Sequence, residues 1–237
     1  MSVAQNLALR TAQGELLAIT DDDCRLSKDY VKDLLRHDAS DGDELVLRGG
    51  RIELGDPTDL PLTIKTTPTR LRFNRRMNPA TNPTRRDTII GQISGCNMTM
   101  RRAVAERLGG FDEHFGPGAA ITSGADADYL FRAYISDITI EYVPDMAVSH
   151  HHGRKKKTVG YQLMRGYSIG AGALYAKYVF KHPTLCLPFY WDIKKSIKEV
   201  VSGRNLYYPA IGFSFKHKVA YAVSGAMKYF LTPRQGV

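Results

Sequence analysis

Three cysteines in 237 residues, Cys24, Cys96 and Cys186, are too few and too widely spaced for a disulfide framework, and no C-x-x-C pair marks a zinc knuckle. A reducing compartment is therefore the expectation. Long apolar runs are also missing. The longest charge-free stretch of interest, residues 166–176, falls far short of the roughly 20 apolar residues that cross a bilayer. Met1-Ser2-Val3-Ala4-Gln5-Asn6 has no basic region leading into an apolar core, so no secretory signal is read. No helix-turn-helix, RRM or zinc-finger pattern supports a nucleic-acid partner, and no serine sits in a nucleophile elbow. Acidic residues are scarce in one region. Residues 151–237 hold 15 Lys+Arg against 2 Asp+Glu, a charge of +13, while the first 150 carry −4 within a total of +9. A mildly acidic body joined to a basic, aromatic-rich tail implies two jobs, with the tail meeting something anionic.

What is present suffices for one sizeable core and a smaller unit, with 43% of residues hydrophobic and 24% charged. The first 150 residues alternate helix and strand patterns. Ser2 to Ala12 reads as a helix ending near Gly14, and Glu15 to Thr20 as a strand. Ser27 reads as the N-cap of a helix that buries Tyr30, Val31, Leu34 and Leu35. Glu44 to Leu54 suggests a strand interrupted at Gly49-Gly50. Residues 55–86, rich in Pro, Thr and Arg, read as a long loop with one helical turn over Arg70 to Arg76. An apolar segment through Gly95 to Met100 precedes a helix from Arg102 to Leu108 that Gly109-Gly110 ends. Asp126 to Ser136 has helical spacing, with Tyr129, Leu130 and Ala133 on one face; Pro144-Asp145 separates two strands, Ile138 to Val143 and Met146 to Ser149. Three helices are expected beyond His150, at Tyr161 to Phe180, Tyr190 to Val201 and Phe215 to Leu231.

Asp21-Asp22-Asp23 follows the first strand directly, which places its carboxylates at the carboxyl edge of a sheet, where open α/β sheets bind ligands. Two carboxylates one residue apart can share Mg²⁺, whose other positions water and phosphate oxygens fill. By itself the triplet fits equally well as a cap for the helix that follows.

Further blocks point to a family. Asn6 through Tyr30, with Ala12-Gln13-Gly14-Glu15, the apolar strand and the triplet, resembles the segment around the D-x-D motif of family 2 glycosyltransferases with the GT-A fold. Gly95-Cys96-Asn97-Met98, Arg101-Arg102, Leu108-Gly109-Gly110-Phe111-Asp112-Glu113, Gly124-Ala125-Asp126-Ala127-Asp128 with Arg132, and Tyr142-Val143-Pro144 to His150 are similar to the acceptor-side half. The resemblance spans about residues 3–152. It implies a GT-A-like α/β domain over 1–152, a mixed sheet flanked by helices, followed by a basic amphipathic helical extension over 153–237.

It also implies roles. Asp21 and Asp23 would hold a divalent cation, Mg²⁺ or Mn²⁺, with Asp22 between them at the diphosphate of a nucleotide-sugar donor. Asp126 matches the catalytic base, which in an inverting transfer takes the acceptor hydroxyl proton; capping its own helix is the other use for Asp126 and Asp128. His150, first of a His-His-His run, stands where relatives place a histidine completing the metal site. Gln162-Leu163-Met164-Arg165 resembles the start of a Q-x-x-R-W motif, with Gly166 in place of Trp, so a processive synthase is disfavoured while Arg165 can still pair with diphosphate. Arg70, Arg72, Arg75, Arg76, Arg85 and Arg86 would either close over an anion or form a solvated loop.

Two departures stand out. Ala125 replaces the usual Glu, and only 20 residues precede Asp21, so most of the nucleotide-binding half that relatives carry there is expected to be missing from this chain. The lysines and aromatics of the tail, among them Phe180, Tyr190, Trp191, Phe213, Phe215 and Phe230, fit a helical surface lying on an anionic membrane, or helices that simply pack on the domain. The expected function is metal-dependent inverting transfer of a sugar to a lipid-linked or polysaccharide acceptor in cell-envelope or exopolysaccharide synthesis, at the inner face of the cell membrane. The alternatives are a catalytically incomplete fragment acting as a membrane-associated binding module and a basic adaptor.

Overall fold

The computed structural model describes residues 1–76 and 89–232, so Arg85 and Arg86 lie outside the described residues. Two compact units are present. One holds residues 3–111 and 126–154; the other holds residues 1–2, 112–125 and the described residues from Lys155 on.

The first unit contains helix α1 (Ser2–Thr11) and strands β1 (Leu16–Thr20) and β2 (Cys24–Leu26), then α2 (Tyr30–Asp41), β3 (Val46–Leu54) and β4 (Leu71–Phe73). These are followed by β5 (Asn97–Arg101), α3 (Arg102–Leu108), α4 (Ala125–Ile135) and β6 (Thr139–His150). The strands form one mixed sheet in the order β1-β5-β3-β6-β2, with β4 also paired to β6. β3 and β6 run parallel, and the remaining pairs are antiparallel. The carboxyl ends of β1, β3 and β6 thus share one edge with the start of β2.

Several expectations change in this unit. The apolar pattern of α2 pointed to Val31 and Leu35, yet Tyr30, Asp33, Leu34 and His37 are buried while Val31 and Leu35 face solvent. The buried stripe follows the i, i+3, i+4, i+7 spacing of a helix lying on a sheet. Its polar members are paired, Asp33 with Arg36 at 3.0 Å and His37 with Asp145 at 3.0 Å. Ser27 is not the cap either, because α2 begins at Tyr30 and residues 24–26 form an edge strand. That strand separates the aspartate triplet from the helix, so the triplet does not cap it.

β3 runs through Gly49-Gly50 without a break, and β6 runs through Pro144-Asp145. Both follow from one bulge: the register jumps from Gly50↔Val143 to Arg51↔Ala147, leaving residues 144–146 unmatched. Proline's missing N–H is tolerated there because the ladder is already interrupted. A side chain at Gly50 would overlap the Met146 carbonyl oxygen, and Asn97 Nδ2 seals the bulge by donating to Arg51 O and Met146 O, both at 3.0 Å. Tyr30 Oη in turn donates to Asn97 Oδ1 at 2.7 Å.

Residues 71–73 form β4, not a helical turn. Arg70 and Arg72 neither float in solvent nor wait for a ligand: both pair with Glu141, whose side chain is fully buried on β6. Arg48 completes the cluster, 2.6 Å from Glu141 and 2.6 Å from Asp41.

The second unit is helical, with α5 (Lys157–Tyr178), α6 (Leu187–Ser202) and α7 (Phe215–Leu231). Glycines let α5 and α7 touch through their backbones: a Cβ on Gly172 would overlap Ala222 O, and one on Gly225 would overlap Ile169 O. The tail aromatics divide. Tyr175, Tyr178, Phe213 and Phe215 are buried within this unit, whereas Phe180, Tyr190, Trp191 and Phe230 are exposed. The first group is core, so only the second remains available to a surface. No helix among the described residues is long and apolar enough to cross a membrane.

Candidate functional site

β1 ends at Thr20, whose hydroxyl donates to Cys96 O at 3.0 Å and ties the strand end to the residue before β5. Residues 21–23 then turn tightly, with Cys24 N donating to Asp21 O at 3.1 Å, and the chain enters β2. β2 lies against the end of β6 with Cys24 opposite His150, and His151 N donates to Asp23 O at 2.8 Å. Two residues from the D-x-D turn and one from the far end of a 12-residue strand therefore meet.

Ligand atoms of Asp21, Asp23 and His150 all lie within 4.8 Å of one another. His150 Nε2 is 3.2 Å from Asp23 Oδ1, on a nearly buried ring. Its Nδ1 is buried without a hydrogen-bond partner among the described residues. Asp22, between the two aspartates, is exposed.

The site is electrostatically loaded. Burial and the neighbouring Asp23 push the Asp21 carboxyl above the usual carboxylate range, and the charges of Asp126 and Asp22 add to this while His150 opposes it. Gathering carboxylates in a half-buried turn is unfavourable without a counter-charge, and two carboxylates with an imidazole suit a divalent cation. The donor set therefore fits the cation that the motif implies.

Asp126 opens α4. Its Oδ2 accepts from Gly95 N at 3.2 Å and its Oδ1 from Ala127 N at 2.9 Å. Gly95 precedes Cys96, so one short segment positions both the carboxylate and a thiol. Asp128, by contrast, is structural: it is fully buried, and Arg132 Nε donates to it at 2.9 Å. Arg132 also donates to Leu108 O at 2.6 Å and Gly110 O at 2.7 Å, fastening the end of α3.

Arg165 belongs to the other unit, where it is exposed on α5 with its guanidinium 5.3 Å from the Tyr221 ring centroid. His151 and His152 are not among the ligand atoms gathered with Asp21 and Asp23. His152 is buried with Asp59, 3.4 Å away, and burial lowers its pKa.

Two residues at this site are given no role by the motifs, Cys24 and, within the Gly95-Cys96-Asn97-Met98 block, Cys96. Their sequence signal is position alone: one directly follows the triplet, and the other adjoins the glycine that positions Asp126.

A mixed sheet flanked by helices, with a D-x-D turn on the carboxyl edge of its parallel strands, is a GT-A-like arrangement. The model for the family "Glycosyl transferase family 2" matches residues 1–109, so this part of the chain is similar to that family. No curated protein matches the sequence. Among solved structures the chain is similar to S. aureus TarS, at 18% identity over 75% of this chain and 30% of that one, with a TM-score of 0.43. It is also similar to TarS 1-349 in complex with UDP-GlcNAc, at 16% identity over 94% of this chain and 68% of that one, with a TM-score of 0.44. The complex of the same form with UDP gives 16% identity over 95% and 68%, and again a TM-score of 0.44. This chain thus spans 30% of the length of the longer TarS chain.

Proposed function

We propose that the protein is a metal-dependent, inverting glycosyltransferase that moves a sugar from a nucleotide-sugar donor to a lipid-linked or polysaccharide acceptor. This reading is carried by the convergence of Asp21, Asp23 and His150 within 4.8 Å at the sheet edge, with Asp126 close enough to perturb Asp21. Asp21, Asp23 and His150 would hold Mg²⁺ or Mn²⁺, with Asp22 beside the donor diphosphate. When bound, the cation would neutralise charge on the departing nucleoside diphosphate. Asp126 takes the proton of the acceptor hydroxyl as that oxygen bonds to the anomeric carbon and the bond from that carbon to the diphosphate oxygen breaks. Gly95 N fixes the direction of the carboxylate, and among the described residues its second oxygen accepts from the neighbouring Ala127 amide. Arg165 is a further candidate for the diphosphate.

The tail supports a cytoplasmic protein that sits peripherally on the inner face of an anionic membrane. Its only two acids are turned inward: Asp192 pairs with Lys218 at 2.8 Å, and Glu199 accepts from Leu206 N at 2.7 Å and Lys216 N at 3.2 Å. The outward charge is consequently almost all positive, among exposed Phe180, Tyr190, Trp191, Ile197, Val201 and Phe230.

The test combines binding and turnover in the protein carrying this chain. Calorimetry should show saturable nucleotide-sugar uptake that requires Mn²⁺ and is lost in Asp23→Asn. Asp126→Asn should keep that uptake while kcat falls by about 10²–10⁴-fold, the usual contribution of a general base. Undiminished turnover in Asp126→Asn would overturn the base assignment, and no saturable uptake would favour a membrane-associated binding module.

A further inference from the structure

The D-x-D turn carries a second set of ligands. Cys24, Cys96 and His150 offer two sulfurs and a nitrogen that also lie within 4.8 Å of one another, so His150 is common to both triads. The two cysteines arrive by different routes. Cys24 is the first residue of β2, opposite His150 on β6, and Cys96 is the residue before β5, fixed by the Thr20 hydroxyl on its carbonyl. Both are free thiols, with Cys96 buried and Cys24 partly so.

We propose that Cys24, Cys96 and His150 form a site for a thiophilic divalent cation of the Zn²⁺ class, and that its occupation excludes a hard cation from the adjoining carboxylates. The exclusion, though not the thiol site itself, rests on the role proposed above for His150.

Three observations carry the site. First, the spacing is close to what the ion needs: with Zn–S near 2.3 Å and Zn–N near 2.0–2.1 Å, tetrahedral ligand atoms stand roughly 3.3–3.8 Å apart. Side-chain rotations of about 1 Å would close the observed set. Second, a fourth ligand is in place: Asp23 Oδ1 lies 3.8 Å from Cys24 Sγ and 3.2 Å from His150 Nε2, near the separations of a tetrahedral edge. Third, the imidazole that presents Nε2 to Asp23 is nearly buried.

Chemistry separates the two triads. Mg²⁺ selects oxygen and retains water, so it belongs with Asp21 and Asp23. Thiolates select Zn²⁺, which also binds nitrogen and sulfur donors more tightly than Mn²⁺ does. On binding, each thiol releases its proton to solvent. With His150 and Asp23 both drawn toward the sulfurs, Asp21 alone would remain for the hard ion.

Co²⁺ is the probe that tests this, used with the whole protein under a phosphine reductant. The expected result is one Co²⁺ per chain with thiolate-to-metal charge-transfer absorption and intense tetrahedral d–d bands, all displaced by one equivalent of Zn²⁺. Cys24→Ser and Cys96→Ser should each lose at least half of the charge-transfer intensity and weaken Zn²⁺ binding at least tenfold. Asp21→Asn should retain the bands, since Asp21 is outside the thiol set. Mn²⁺ bound to the wild-type protein, followed by electron paramagnetic resonance, should be released by Zn²⁺. Co²⁺ spectra without thiolate bands, or no Co²⁺ binding, would overturn the site, and the wild-type spectrum decides this even if a variant misfolds. Mn²⁺ retained beside bound Zn²⁺ would overturn the exclusion. Since no sugar transfer is measured, failure of the proposed catalytic function would leave these outcomes readable.

Discussion

Glu141 shows what a single buried charge demands. Burial opposes its ionisation, but Arg72, Arg70 and Arg48 outweigh that and hold its carboxyl below the ordinary glutamate range. Removing the charge would strand Arg48, which is itself buried and left with Asp41 alone. Glu141→Gln should therefore destabilise the protein by about 3 kcal/mol at pH 7, as breaking a buried pair does. A carboxylate with a depressed folded pKa stabilises above its unfolded value and loses that contribution on acidification, so the deficit should shrink below about pH 4. Denaturant unfolding at pH 7 and pH 3.5 checks both statements, and a constant deficit would contradict the charge explanation. The arginines of this cluster also show where residue counting misleads. An Arg-rich loop reads as an anion trap or a solvated loop until the structure supplies Arg70 and Arg72 with a buried glutamate 69 to 71 residues away as partner.

At the scale of elements, glycine decides how closely two backbones approach. Helix α5 contains Gly160, Gly166, Gly170 and Gly172, an unfavourable composition for an isolated helix, since each glycine costs about 1 kcal/mol relative to alanine. The cost is offset by contact within the helical unit. Gly170 admits the Ser123 side chain, and Gly172 and Gly225 bring α5 and α7 together. Gly172→Ala, which improves local helix propensity, should nonetheless lower stability by about 1–3 kcal/mol because the obstructing atoms are backbone and cannot rotate away. Thermal denaturation reads this directly, and a raised Tm would mean that the helices do not meet as described. The same reasoning explains β3, where Gly49-Gly50 looks like an interruption but is the place where the bulge of β6 needs room.

For the molecule as a whole, charge and exposed apolar area are separated from the site by sequence region. The sheet unit holds the acidic motif, while residues 151–237 carry a net charge of +13 and the exposed Phe180, Trp191, Val201 and Phe230. Sedimentation with vesicles containing about 30% anionic lipid should pull down the protein and lose it as salt rises, since polybasic attraction is worth about 1 kcal/mol per Lys or Arg at the surface and is screened within a Debye length. Lys194→Glu with Lys198→Glu should weaken pelleting roughly tenfold or more without changing stability appreciably. Equal pelleting on neutral vesicles would leave apolar insertion, not charge, as the driving force.

The sequence by itself determined whatever depends on near neighbours. Helices α1, α3 and α4 and the three of the tail follow from local composition and apolar spacing, the end of α3 from Gly109, and the place of Asp21 and Asp23 at a sheet edge from the apolar strand before them. Asp126 and His150 came from family resemblance, not from any local rule. The tertiary structure alone decided that Cys24 faces His150 across a strand pair, that Cys96 reaches the same turn from a residue 72 positions later, and that Asn97 and Tyr30 close a bulge 49 residues further on. The physical reason is register. Backbone periodicity fixes which face a residue occupies within its own element, but pairing between distant strands depends on the summed packing of the whole sheet, which no short window of sequence contains.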